Sequence, residues 1–122
     1  MQTMKAIVVA LFLGVGLAGP VAAGPLEDAT AAYGNGDYAT ALRLIRPLAE
    51  QGNDAAQYSL GVMYRTGQGV LQDHVQAHKW FNLAGARGME GGRRNRDEVA
   101  TKMTPAQIAE AQRLAHEWKP KQ

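Results

Sequence analysis

The sequence predicts an all-α protein, a short α-solenoid of about three antiparallel helix pairs behind an N-terminal export signal. Three observations carry this reading. Apolar residues recur at helical spacing along most of the chain and nowhere alternate with a period of two, so no strands are expected. Glycine-rich breaks punctuate these stripes and set short connections between them. At an offset of about 36 residues Tyr38 matches His74, Ala41 matches Ala77, Leu44 matches Trp80, Ile45 matches Phe81 and Gly52 matches Gly88. A helix pair repeated at that spacing leaves an apolar face uncovered, and stacking the next pair buries it.

The chain has 122 residues, which is one domain rather than a two-domain enzyme. Charged residues make up 20% and the hydrophobic class 46%, an ordinary folded balance. Thirteen Lys and Arg against eleven Asp and Glu give +2, too small an excess for a nucleic-acid surface. No cysteine is present, which removes disulfides, thiol chemistry, Cys-ligated zinc and a lipoprotein anchor.

Residues 1–23 read as a secretory signal peptide. Lys5 supplies a basic start, and the apolar run Ala6 to Ala18 is shorter than the roughly 20 residues a membrane-spanning helix needs. Gly19-Pro20 follows, and Val21 and Ala23 put small residues at the recognition positions of a cut after Ala23. A cut one residue later would leave Pro25 directly behind it. The expected product starts at Gly24, is periplasmic or secreted, and keeps no stable membrane anchor. The alternative is an uncleaved N-terminal anchor.

From Gly24 onward each segment has its own start and stop. Leu26, Ala29 and Tyr33 share one helix face, and Gly34-Asn35-Gly36-Asp37 ends that run with Asp37 as the next cap. Tyr38, Ala41, Leu42, Ile45, Leu48 and Ala49 form the clearest amphipathic stripe. Pro47 inside it predicts a kink or an irregular last turn. Gly52-Asn53 closes that helix, with Asn53 or Asp54 as the next cap. Ala56, Leu60, Met63 and Tyr64 form the third stripe, followed by a glycine loop in which Gly67 and Gly69 supply positive φ. Asp73 caps a fourth helix that buries Ala77, Trp80, Phe81 and Ala84. Glu90-Gly91-Gly92 is poor helix, each glycine costing about 1 kcal/mol relative to alanine, so the fifth segment is set at Arg93 to Met103, with Val99, Ala100 and Met103 inward. Thr104-Pro105-Ala106-Gln107 is a capping box with proline at the first helical position. The sixth helix runs to about Trp118 with Ile108, Ala111, Leu114, Ala115 and Trp118 inward. Residues 119–122 should fray.

Ala55-Ala56-Gln57-Tyr58-Ser59-Leu60-Gly61-Val62-Met63-Tyr64, then Gly67-Gln68-Gly69-Val70, Asp73, Ala77, Trp80-Phe81, Ala84 and Gly88 resemble one complete Sel1-like repeat, a relative of the tetratricopeptide repeats. The resemblance sets a repeat domain at 24–118, with a partial repeat at 24–53, the full one at 54–89 and a degenerate capping unit at 90–118. Gly85, Gly91 and Gly92 depart from the family pattern, which favours alanine there. Cysteine-rich members, some with β-lactamase activity, form a disulfide at each repeat; this chain does not. The resemblance implies a non-catalytic adaptor that holds a protein or peptide in a groove lined by the first helix of each pair, with Tyr33, Gln57, Tyr58 and Arg65 as candidate contacts. A self-associating structural protein, a weak homodimer covering its apolar ends, and a small envelope hydrolase are the alternatives.

Other candidate chemistry is thin. His74 and His78 share a helix face, but no third ligand is near in sequence, so no metal is expected and the pair reads as an exposed face. Gly67-Gln68-Gly69 has neither the preceding strand nor the following lysine of a phosphate loop. Arg93-Arg94-Asn95-Arg96 is followed at once by Asp97-Glu98 and reads as a solvated face with local ion pairs, not a nucleic-acid site. Ser59 is the only serine and lies mid-helix, not on the strand-to-helix turn a nucleophile needs. No catalytic residue and no cofactor is expected.

Overall fold

A computed structural model describes residues 24–122; the expected signal peptide at 1–23 lies outside the described residues. Six helices follow one another: α1 (Pro25–Gly34), α2 (Tyr38–Glu50), α3 (Asp54–Thr66), α4 (His74–Ala86), α5 (Glu90–Ala100) and α6 (Pro105–Glu117). Among the described residues there is no strand, and the all-α architecture read from the sequence holds.

Four of the six helices, α2, α3, α4 and α6, start with side-chain caps, each satisfying a backbone N–H that the helix itself cannot. Asp37 accepts from the Thr40 amide at 3.2 Å, Asn53 from Ala56 at 2.9 Å and Asp73 from Gln76 at 3.1 Å. Thr104 and Gln107 close a reciprocal box, at 3.1 and 2.9 Å. Pro47 does not end α2. It lies on the exposed side of α2, one turn after the equally exposed Arg43. The loop after α3 turns on Gly67 (φ 76°) and Gly69 (φ 82°). A side chain at Gly69 would meet Met63 Cε at 2.7 Å and the Tyr38 carbonyl at 3.1 Å, so this loop lies flat against α2 and α3.

Each of the first four helices packs on the next. The core uses alanine at the crossings, with Ala29, Ala41, Ala49, Ala56, Ala77 and Ala84 all buried, and fills the rest with Ile45, Leu60, Met63, Trp80, Phe81 and Val99. Phe81 lies on Gly61, where an added Cβ would come within 2.7 Å of its ring.

Three features differ from the sequence expectation. The fifth helix begins at Glu90, not Arg93, and Gly91 and Gly92 form its first turn. A Cβ at Gly92 would lie 2.8 Å from both the Gly85 nitrogen and the Phe81 carbonyl oxygen, so α5 meets α4 backbone to backbone. The propensity cost is offset by that approach. The helix also stops at Ala100, because Thr101, Lys102 and Met103 bond back three residues, to Glu98, Val99 and Ala100, and turn the chain into the Thr104 cap. Second, α6 packs on α4 rather than on α5, so the last two helices do not close as a third hairpin. Third, the segment expected to fray is tied down. The Lys121 amide donates to the Glu50 carbonyl at 2.7 Å, and Trp118 stands edge-on to Trp80 with ring centroids 6.4 Å apart.

Candidate functional site

The first helices of the two complete pairs, α1 and α3, stand on either side of an open cleft of about 210 Å³. Ala29, Thr30 and Tyr33 form one wall, Tyr58, Ser59 and Val62 the other, and Ile45 of α2 the floor. The lining is mostly apolar, and both aromatic walls are held from behind. The Tyr33 hydroxyl donates to Gln68 Oε1, and Gln68 Nε2 donates to the Tyr38 hydroxyl at 3.0 Å. The Tyr33 and Tyr38 rings meet edge to face at 5.0 Å. Tyr58 packs on Phe81 with centroids 5.6 Å apart, and its hydroxyl accepts from Asn95 Nδ2 at 3.2 Å. Asn95 also donates to the Gly91 carbonyl at 2.8 Å and accepts from Arg65 Nη1, whose guanidinium lies 5.8 Å from the Phe81 ring centre. Interlocked bonds of this kind fix side chains that would otherwise rotate.

Of the four candidate contacts, Tyr33 and Tyr58 line the cleft. Arg65 does not; it backs Tyr58 through Asn95 and borders a small hollow with Glu98, Val99 and Lys102. Gln57 is a correction. It is 0% exposed, donates from Nε2 to the Ala49 carbonyl at 3.2 Å and has no partner for Oε1 among the described residues, so it ties α3 to α2 and cannot reach a ligand. The physical reason is that α3 is sandwiched between α2 and α4 and buries two faces, one through Ala56, Leu60 and Met63, the other through Gln57 and Gly61.

His78 is also a correction. It is 3% exposed, not on an open face, and its Nδ1 has no partner among the described residues. Burial pushes its pKa below the ordinary histidine range, Arg96 adds to that, and Asp97 opposes it. No group of three or more His, Asp or Glu that could hold a metal occurs among the described residues. The arginine cluster makes the local ion pairs expected of it but is only partly a solvated face. Arg93 donates to the Gly85 carbonyl at 2.6 Å and pairs with Glu90, while Arg96 donates to Asn82 at 3.0 Å and pairs with Asp97. Both therefore clamp α5 to α4, and only Arg94 is left facing outward.

Asn95 and Gln68 are the residues that sequence reasoning missed. Asn95 shares a helix face with Gly92 and Val99, a polar residue on an inward stripe, which is the signal that was available. Gln68 offered none, since a loop glutamine between two glycines looks like any other loop residue.

The Sel1 repeat family model matches residues 54–89, which is α3, the glycine loop, α4 and the turn after it. Those residues match one Sel1 repeat. Over 61 residues it is 36% identical to an exopolysaccharide production negative regulator of Rhizobium leguminosarum bv. viciae, a stretch covering 50% of this chain and 23% of that protein. The crystal structure of a protective antigen present in uropathogenic Escherichia coli strains, described as displaying an SLR fold, superposes with a TM-score of 0.65 at 38% identity, over 67% of this chain and 18% of that one. This chain therefore spans less than a quarter of the length of either protein. Sel1 repeats generally mediate protein–protein contact, and in this one the repeat supplies the Tyr58 wall, the glycine loop that holds Tyr33 and the Phe81 that supports both Tyr58 and Arg65.

Proposed function

We propose that this chain is an exported, non-catalytic interaction module that holds a segment of a partner protein in the cleft between α1 and α3. The observation that carries the reading is the cleft itself, apolar, open to solvent and walled by two tyrosines whose hydroxyls are fixed from behind. Rigid aromatic walls give contact area at little entropy cost on binding. The Sel1 repeat supports this role, and the relative named as a regulator is compatible with work done through contacts rather than turnover.

The test is site-specific photocrosslinking in the native host. A photoreactive residue at Thr30, on the cleft wall, should give a discrete protein adduct, and the same probe at Arg113, on α6, should not. Adding Ser59→Arg, which fills the cleft, should abolish the adduct. Equal adducts from both positions, or none at Thr30, would overturn the reading. Export is tested separately by mass spectrometry of the processed protein, which should begin at Gly24; a retained Met1 would refute cleavage.

A further inference from the structure

We propose that the segment held in the cleft is an acidic one, seating an apolar side chain between Tyr33 and Tyr58 and placing an Asp or Glu carboxylate on Arg94 and the Tyr58 hydroxyl. This rests on the cleft being a peptide site and goes beyond it by naming the recognised chemistry.

Three observations converge. First, Arg94 is set apart from the other arginines of α5. Arg93 and Arg96 are spent on α4, whereas among the described residues Arg94 pairs with no carboxylate and is exposed. Second, Arg94 lies beside the cleft wall. The space above Gly91, where a side chain would project, is bounded at 3.3 Å by Tyr58 Cε1 and at 3.9 Å by Arg94 Nη2. Gly91 thus lets the guanidinium and the tyrosine ring approach the same point. Third, the Tyr58 hydroxyl accepts from Asn95, so its own proton is free to be donated, and no acceptor for it occurs among the described residues. A tyrosine O–H and a guanidinium side by side offer donors only, and a carboxylate is acceptor-only with two oxygens to place on them. The cleft next to these donors is lined by Ala29, Ile45 and Val62, which suits an apolar side chain a few residues along the same segment.

The experiment begins with a random peptide phage library selected on the processed full chain. Selected sequences should combine Asp or Glu with a nearby Leu, Ile, Val, Met or Phe. The best peptide is then synthesised in its native form and with the acidic residue changed to Gln or Asn, and affinities are read by fluorescence anisotropy. Removing the charge should weaken binding to the unaltered protein about tenfold, the scale of one charge-assisted contact. Arg94→Ala should reduce that difference to near zero, and Tyr58→Phe should weaken the acidic peptide while sparing the amide form. Arg94 is exposed, so circular dichroism of Arg94→Ala should match the parent. Peptides that bind and are blocked by Ser59→Arg, yet lose nothing when the charge is removed, would overturn this proposal and leave the groove reading standing. Absence of any peptide blocked by Ser59→Arg would overturn both. A dimer seen by light scattering and abolished by Ser59→Arg would place a second copy in the cleft and likewise overturn it.

Discussion

Replacing Gly92 by alanine should destabilise the protein, although alanine is the better helix former. By propensity alone the change favours the folded state by about 1 kcal/mol in a helix interior. The structure reverses the sign. The new Cβ would lie 2.8 Å from the Gly85 nitrogen, 2.8 Å from the Phe81 oxygen and 3.1 Å from Ala84 Cβ. Two of these atoms are backbone, so no rotamer change relieves the contact, and α5 must lift from α4. Overpacking of this kind costs about 1–3 kcal/mol. Lifting α5 also lengthens the 2.6 Å bond from Arg93 to the Gly85 carbonyl, a charged hydrogen bond worth roughly 1.5–3 kcal/mol when lost outright. The net expectation is a loss of about 1–3 kcal/mol, and each kcal/mol lowers Tm by about 4–8 °C in a domain this small. Gly34→Ala is the internal control. Nothing lies within 4 Å of its added Cβ and its φ is not positive, so it should gain about 0.4–1 kcal/mol. Thermal melts followed by far-UV circular dichroism compare the two. A Tm for Gly92→Ala equal to or above that of the parent would refute the close-approach argument.

Three other outcomes follow from the packing and the buried titratable group. Trp80→Ala removes a 4% exposed indole at the junction of α4 and Trp118, at a cost of about 3–5 kcal/mol against a total of about 5–15; an unchanged urea midpoint would show that Trp80 is not core. Trp118→Ala, half-buried against Trp80 and Gly52, should cost less, about 1–3 kcal/mol, and should change the fluorescence of the remaining Trp80. Buried His78 has its pKa depressed, so between the folded and unfolded values the unfolded chain holds the extra proton. Stability is then full above the ordinary histidine value of about 6.5 and falls as pH drops through and below it. Urea midpoints at pH 8 and pH 5.5 should differ, and His78→Leu should shrink the difference; an equal slope in both proteins would assign the effect to another group.

What was legible in the sequence is what a single helix decides for itself. The stripes Ala56-Leu60-Met63 and Ala77-Trp80-Phe81-Ala84 are buried as their spacing required, and Asp37, Asn53, Asp73 and Thr104 cap where their chemistry places them. Periodicity states which face is buried but not how many faces, nor against what. Gln57 and His78 were misplaced because α3 and α4 are covered on more than one side, so their second stripes, Gln57-Gly61 and His78-Phe81-Gly85, are also interior. The same limit hid α6 packing on α4, since Ala111 is inward whichever helix it meets. At Gly91 and Gly92 local propensity pointed away from helix, and a backbone contact decided otherwise. Tyr33 and Tyr58 line the cleft because both lie on the first helix of a pair. Arg94 was seen only as part of a charge run, and nothing local separates it from Arg93 and Arg96.

The closure of the C-terminal segment adds contacts that stacking on neighbours alone would not supply. In a linear solenoid each unit touches only its neighbours, and an end unit contributes no more than one interface. Here the tail returns to the second helix, with Lys121 bonded to Glu50 through both backbone and side chain, the latter at 3.3 Å. Trp118 meets Trp80 and the space above Gly52, and Lys79 sets its ammonium 4.3 Å from the Trp80 ring centre. The C-terminal segment thereby covers part of α4 and ties it to the C-terminal end of α2. Small domains bury a small fraction of their surface and are marginal, so a groove left open on one side has to be offset by contact elsewhere. The contacts of Trp118 with Trp80 and of Lys121 with Glu50 supply contact of that kind.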